Sequence, residues 1–393
     1  MKTIALFLLL IIATLGRAQE GKPYTATLVS KIGTDTMAVE TYNIIGNHLY
    51  GRSFVRMPAD HIREFSFHFY PDGTIREYMV KTFHPKQGSV SMADPSLGLG
   101  LPYVVSLNCT DGECTYYFMG KDGTENTIIQ KTDHLDYIGG WVLNFSLLEW
   151  QCRRLVKSGK DFIPLQMTNY ELGVFDIGIR RQSEDTIIFG GPFIEYGKGL
   201  IDSDGSLKFY DGTGTSWNYH ITKHPPMDID QVAKRLTETK PIGAASPRKT
   251  QTYHIKGNNI TVNYGRPYRR GREIFGGIVP YDSVWRTGAG THTSITFEQD
   301  IKLGKKILPK GKYSIYTVPG REKWELIFNT DFNRWPTDPD RSKDLVTINM
   351  SVKKTADEIE QLTIEITETK KGGRISVAWD DVAAWVDFLV LKD

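Results

Sequence analysis

The stretch Asn108-Cys109-Thr110-Asp111-Gly112-Glu113-Cys114-Thr115-Tyr116-Tyr117-Phe118 decides how the first half of the chain is read. Asp-Gly is a strong hairpin signal, because a type I′ turn needs positive φ at both central residues. With Asp111-Gly112 as the two-residue turn, Thr110 faces Glu113 in the hydrogen-bonded pair beside it. Cys109 then faces Cys114 in a non-hydrogen-bonded pair, where Cα atoms stand ~4.5 Å apart. That spacing admits a disulfide in an oxidising compartment. Two reduced, buried thiols are the alternative reading. The closed loop is short, so such a bond adds little chain entropy. The remaining cysteine, Cys152, lies in a helical-looking run over 145–157 and reads as a small buried hydrophobe.

The same signal recurs outward from this hairpin. Asp72-Gly73, Asp122-Gly123, Asp204-Gly205 and Asp211-Gly212 separate runs rich in aromatic and β-branched residues, such as 64–70, 75–83, 114–118 and 126–131. Regular turns between such runs predict an antiparallel meander. The alternation Phe65-Ser66-Phe67-His68-Phe69-Tyr70 gives it one packed and one wet face. A long meander must curl or stack to cover its apolar face and its edges. The expectation for 19–239 is a barrel-like or strongly curved sheet with 145–157 as a covering helix. Its interior is either a filled core or a cavity for an apolar ligand. Residues 228–238 read as a short helix capped by Asp228 or Asp230. Pro241, Gly243, Ser246 and Pro247 mark a linker over 240–249. Beyond it, about nine short strands in 250–393 suit a β-sandwich of jelly-roll type. Thr355 followed by Glu358 matches a capping box and predicts one helical turn over 355–361.

The fold class is therefore all-β. The chain has 393 residues, enough for two cores, and 40% hydrophobic with 24% charged residues excludes disorder. Lys and Arg number 48 against 46 Asp and Glu. The charge balances once Lys2 and Arg17 leave with a leader, so no basic field calls for a nucleic-acid partner. The leader is the N-terminal pattern itself: Met1-Lys2-Thr3, an apolar run over 4–15, then Gly16-Arg17-Ala18. This describes a signal peptide over 1–18, cleaved after Ala18. The run is shorter than the ~20 residues needed to span a bilayer. The expected chain is exported, periplasmic or secreted, with no transmembrane segment after cleavage.

The C-terminal third carries a family resemblance. Tyr264-Gly265-Arg266-Pro267, Gly271-Arg272-Glu273-Ile274-Phe275-Gly276-Gly277-Ile278-Val279-Pro280-Tyr281 and Val284-Trp285-Arg286-Thr287-Gly288-Ala289 follow one another. Leu308-Pro309-Lys310-Gly311-Lys312-Tyr313-Ser314, Thr317-Val318-Pro319-Gly320 and Trp324-Glu325-Leu326-Ile327-Phe328-Asn329 continue the pattern. Over roughly 255–390 the chain resembles a bacterial domain of unknown function, number 2911. The resemblance implies an exported protein of Bacteroidota-type bacteria and brings no agreed activity. The chain departs from the family at Gly290-Thr291-His292, where an Asn-Glu pair is usual. It departs again at Arg334-Trp335-Pro336-Thr337-Asp338-Pro339, in place of a Trp-Gly and Tyr-rich loop.

Candidate binding residues fall in that third: Arg266, Asp282, Trp285, Arg286 and His292. If the loops bearing Arg266 and Arg286 meet, two guanidinium forks converge on a carboxylate or phosphate. The alternative is structural pairing with Asp282, Glu273 or carbonyls. Trp285, Trp324, Trp379 and Trp385 read as core first. No Gly-x-Ser-x-Gly, Walker, His-Glu-x-x-His or Cys-x-x-Cys pattern appears. His220 and His224 would stand ~13 Å apart along a strand, too far to share a metal. No catalytic residue, metal or cofactor is named. The expected function is non-enzymatic: an envelope-associated protein binding a small ligand, a glycan or an envelope protein. The alternatives are an exported hydrolase of glycan or peptide, and a lipid or apolar-ligand carrier built on the N-terminal domain.

Overall fold

The computed structural model describes residues 23–391 apart from 58, 84–103, 111, 120–123, 140–143, 170–172, 192–194, 214–217 and 245. The leader, Asp111 and the Asp122-Gly123 turn lie outside the described residues. A first meander comprises β1 (Tyr24–Ile32), β2 (Asp35–Ile45), β3 (His48–Val55), β4 (His61–Phe69), β5 (Ile75–Phe83), β6 (Val104–Thr110), β7 (Glu113–Met119) and β8 (Glu125–Lys131). The short β9 (Tyr137–Ile138) and helix α1 (Ser146–Ser158) follow. A second meander comprises β10 (Phe162–Asn169), β11 (Gly173–Arg181), β12 (Thr186–Gly191), β13 (Glu195–Ile201), β14 (Leu207–Asp211) and β15 (His220–His224). β1 pairs with both β2 and β15, which fuses the meanders into one 15-stranded sheet. Alternation does what the sequence asks: Phe65, Phe67 and Phe69 enter the core while Glu64, Ser66 and His68 lie on the other face. Cys109 faces Cys114 and Thr110 faces Glu113, and the disulfide is formed with Cα atoms 4.1 Å apart.

The sheet is strongly curved but not a closed barrel, since its ladder of strands has two ends. Those ends meet through side chains. β8 leads directly to β9, which pairs in parallel with β10 through Met167 and Tyr137. Thr168 Oγ1 donates to Gln130 Oε1 at 2.6 Å, and Thr132 Oγ1 to Gln166 Oε1 at 2.5 Å. The expected helix lies against the concave face, where Leu147, Leu148, Cys152 and Leu155 join the strand side chains in one core. A second helix, α2 (Ile229–Thr237), covers the outer face. Its Ile229, Val232 and Ala233 pack on Val29, Val39, Phe54 and Ile62. Asp228 caps it, accepting from the backbone N–H groups of Asp230 and Gln231.

The C-terminal sheet has its own core. Its strands are β16 (Arg248–Ile255), β17 (Asn258–Gly265), β18 (Ser294–Phe297), β19 (Ile301–Leu303), β20 (Lys306–Leu308), β21 (Gly311–Val318), β22 (Lys323–Asn329), β23 (Asp344–Glu368) and β24 (Gly373–Val390). The strand order is β16-β17-β18-β21-β22-β23-β24-β19-β20. This is a meander with one inserted hairpin, in place of the jelly-roll order. Residues 355–361 form no helical turn: they belong to β23, whose register against β24 shifts between Lys354, Ile359 and Thr363. Continued pairing with β24 outweighs the local cap, and Thr355 Oγ1 donates to the Asp357 carbonyl instead. Past that irregularity, the Tyr264 hydroxyl of β17 accepts the Ile364 N–H of β23 at 2.9 Å.

Arg270 ties the two sheets together. It is buried at positive φ, and its carbonyl accepts the Thr34 N–H of the β1–β2 turn at 3.2 Å. Its guanidinium pairs with Asp35 and donates to the Ile242 carbonyl at 3.1 Å. The approach requires glycine at position 33, where φ is +59° and a Cβ would stand 1.8 Å from the Arg270 carbonyl oxygen. Gly33→Ala is therefore expected to part the domains while leaving both sheets folded. Small-angle scattering should show a larger radius of gyration, and limited proteolysis should cut faster within 240–247. An unchanged radius and cleavage rate would contradict this role.

Candidate functional site

The N-terminal sheet presents its most ordered polar chemistry around α1. Phe145 occupies the N-cap position of this helix and offers no side-chain hydrogen bond. Glu40 supplies the missing acceptor from the inner face of β2. Fully buried, it accepts the Phe145 N–H at 3.2 Å and the Ser146 N–H at 2.7 Å. Burial pushes the Glu40 carboxyl up to about 7, against the pull of these N–H groups and of the Arg63 charge. Small Ser53 lies between Glu40 and Arg63 in the cross-strand register.

Two more buried carboxylates fix the rest of the helix. Glu149 of α1 accepts the Leu207 N–H of β14 at 2.9 Å and pairs with Arg153 at 2.9 Å. Asp136, just before β9, accepts the Gln166 N–H at 2.8 Å and pairs with Arg154. The Asp136 carbonyl takes the Gln151 amide at 2.7 Å. Neither carboxylate has exposed surface, so each needs the partners it has. Burial also raises the Cys152 thiol pKa well above its ordinary value, which keeps it an inert core group.

The far half of α1 reaches the surface at one mouth of the sheet. Trp150 stacks on Phe69 at 3.9 Å and donates from Nε1 to the Gly73 carbonyl at 3.1 Å. Arg153 lies 4.0 Å over the Tyr24 ring and pairs with Asp204 at 3.0 Å. A recess of about 380 Å³ opens here, lined by Asn47, Asp72, Trp150, Arg153, Arg154 and Lys157 among others. It joins an indole, an amide and three cations on a helix held from beneath.

The C-terminal candidates are placed differently. Arg266 donates to the Leu362 carbonyl at 3.0 Å and to Thr363 Oγ1 at 3.2 Å, tying its loop to β23. Arg286 donates to the Gly288 carbonyl at 3.3 Å. Their loops do meet, since a Cβ on Gly288 would stand 3.2 Å from the Gly265 carbonyl oxygen. The two guanidinium groups nevertheless bond to protein oxygens in different directions of the chain. Trp285 stacks on Trp379 at 5.9 Å and bridges by backbone to Thr317. Asp282 is exposed at positive φ and donates its N–H to the Pro319 carbonyl. His292 lies 5.3 Å from the Phe332 ring, its pKa lowered chiefly by burial. Sequence reasoning missed Glu40, Asp136, Trp150, Arg153, Arg154 and Lys157. The only local signal was the Glu149–Arg153 spacing within the helical run.

The Glu40 geometry has a pH signature. Folding raises this carboxyl from an ordinary 4.5 to about 7, so its contribution is full below about 4.5 and is lost as pH rises through about 7. The loss is on the order of 3 kcal/mol. Half-buried His48 and buried His61, lowered to about 4 and about 3 by burial first, act in the opposite sense as pH falls. The reading is therefore the difference between parent and Glu40→Gln in urea midpoints from pH 5 to 8. The variant should gain on the parent as pH rises, and parallel profiles would contradict the assignment.

Among curated proteins no match was found. The chain is similar to a beta-barrel-like protein of domain of unknown function DUF1849 from Brucella abortus. That likeness has 11% identity and TM-score 0.27, covering 52% of this chain and 94% of that one. It is also similar to the isotype 1 transferrin binding protein B from serogroup B Neisseria meningitidis. Here identity is 9% and TM-score 0.13, covering 91% of this chain and 67% of that one. Likenesses of this size say nothing of activity. The family match is local: residues 246–388, the C-terminal domain, match the model described as a protein of unknown function, DUF2911.

Proposed function

We propose that the chain is exported and works in the cell envelope as a non-enzymatic binding protein. Its ligand is a small glycan fragment held in the recess beside α1. The leader pattern supports export. The observation that carries the binding reading is the recess itself, where Trp150, Asn47 and Lys157 converge on an element fixed by buried carboxylates. An aromatic ring with a few polar groups on a rigid support suits capture of a ring-bearing polar molecule. The carboxylate lining the recess, Asp72, accepts both the N–H and the hydroxyl of Thr74. Glu149 and Asp136 are engaged with guanidinium and backbone groups. These engagements favour binding over hydrolysis. The apolar-carrier reading has less support, because α1 and its apolar side chains occupy the concave side.

Lys157 and Asn47 are exposed and carry no fold contacts comparable to the Trp150 stack. Lys157→Glu and Asn47→Ala should leave the melting temperature within a degree or two of the parent. Each should weaken capture of an oligosaccharide on a glycan array, confirmed by native mass spectrometry, by tenfold or more. An array and an envelope extract that both leave the protein empty would overturn the proposal. So would capture indifferent to both substitutions, or release of a cleaved sugar.

A further inference from the structure

We infer that the far end of the C-terminal domain carries a second site, for a phosphate-bearing ligand. The site goes beyond the glycan reading and uses none of its residues. A recess of about 380 Å³ lies between the β23–β24 turn and the β19–β24 edge, lined by Lys302, Gly304, Thr369, Lys370, Lys371 and Leu389 among others. Two turns build it. Gly304 turns the β19–β20 hairpin at φ +57° and offers no side chain to fill the space. Thr369 Oγ1 accepts the Gly372 N–H at 3.1 Å and shapes the opposite turn.

Charge decides the ligand class. Lys302, Lys370 and Lys371 line the recess, and Lys305 and Lys306 follow Gly304 in the chain. None of these five makes an ion pair among the described residues; Lys306 donates to the Thr347 carbonyl. One carboxylate, Asp387, also lines the recess, and both it and the adjacent Glu368 are already paired with cations. Asp387 is held in a bidentate pair with Arg374 at 2.6 and 3.0 Å, and Glu368 pairs with Lys256 at 2.8 Å. The chain as a whole carries +2, so this is a local excess rather than a general basicity. Three lysines lining one recess, Lys302 from β19 and Lys370 and Lys371 from the β23–β24 turn, suit a multiply charged tetrahedral oxyanion better than a single carboxylate. Ile307 and Leu389 both face Lys302 in the cross-strand register and are well exposed, which suits a phosphate joined to an apolar body.

The shared chemistry is the phosphate, whether on a soluble molecule or on a lipid headgroup. The test titrates the mature chain with inorganic phosphate by calorimetry. In parallel it is sedimented with phosphatidylcholine vesicles, with and without phosphatidylglycerol, at low and physiological salt. The triple variant Lys302→Gln, Lys370→Gln, Lys371→Gln is compared with Lys234→Gln on distant α2. The expected result is a loss of tenfold or more in the triple variant only, with both melting curves unchanged. Binding of free phosphate alone identifies a soluble ligand, and vesicle binding that needs phosphatidylglycerol identifies a headgroup. Either supports the site. Should the triple variant melt early, Lys371→Gln alone on the exposed turn serves, with a smaller loss expected. No binding in either arm, or equal loss in Lys234→Gln, would overturn the inference.

Discussion

Three carboxylates with no exposed surface hold α1 against the concave side of the N-terminal sheet. Glu40 closes its first turn, Glu149 hooks β14, and Asp136 grips Arg154 while holding the Gln166 N–H of β10, its backbone carbonyl taking Gln151. Burying such charges is costly, and their net gain over an apolar packing is small or negative. Their worth is geometric. An unsatisfied carboxylate in this core would cost several kcal/mol, so the helix has one position in which every acceptor is met. The apolar face of Leu147, Leu148 and Leu155 would tolerate sliding; the carboxylates do not.

The remaining architecture follows from that position. Where the backbone ladder ends at β8 and β9, Asp136 binds the connection between them to β10 and the Gln130–Thr168 bond continues the join. The same anchoring delivers Trp150, Arg153, Arg154 and Lys157 to the mouth as a fixed set. The C-terminal sheet rests on the β1–β2 turn through Arg270, at the end of β1 remote from that mouth. The two recesses therefore sit on different sheets and are supported by different contacts.

Legibility in the sequence tracked the range of the interaction. The Asp72-Gly73 and Asp204-Gly205 turns, the Cys109–Cys114 register and the Asp228 cap depend on neighbours within a few residues, and these could be read directly. The consecutive motifs of the C-terminal third were likewise readable as a family. The placement of α1 was not, because Glu40 lies 105 residues before Phe145 and nothing local marks it as a cap. Thr355 and Glu358 misled for the converse reason: a valid local capping pattern lost to pairing with β24. The partner of Arg266 could not be named in advance, because its carbonyl acceptor lies 96 residues away, on β23. The jelly-roll expectation counted strands correctly enough for the class, but strand order is set by which edge the β19–β20 hairpin joins, and composition does not encode that.

The central claim is that α1 is the most firmly held element of the N-terminal domain rather than a lid over it. Amide hydrogen exchange at neutral pH tests this directly. The account predicts that the amides of Trp150 to Val156 exchange as slowly as those of the central strands β1 and β2, and only on global opening. Exchange of α1 far ahead of those strands, at rates shared with the exposed turns, would contradict it.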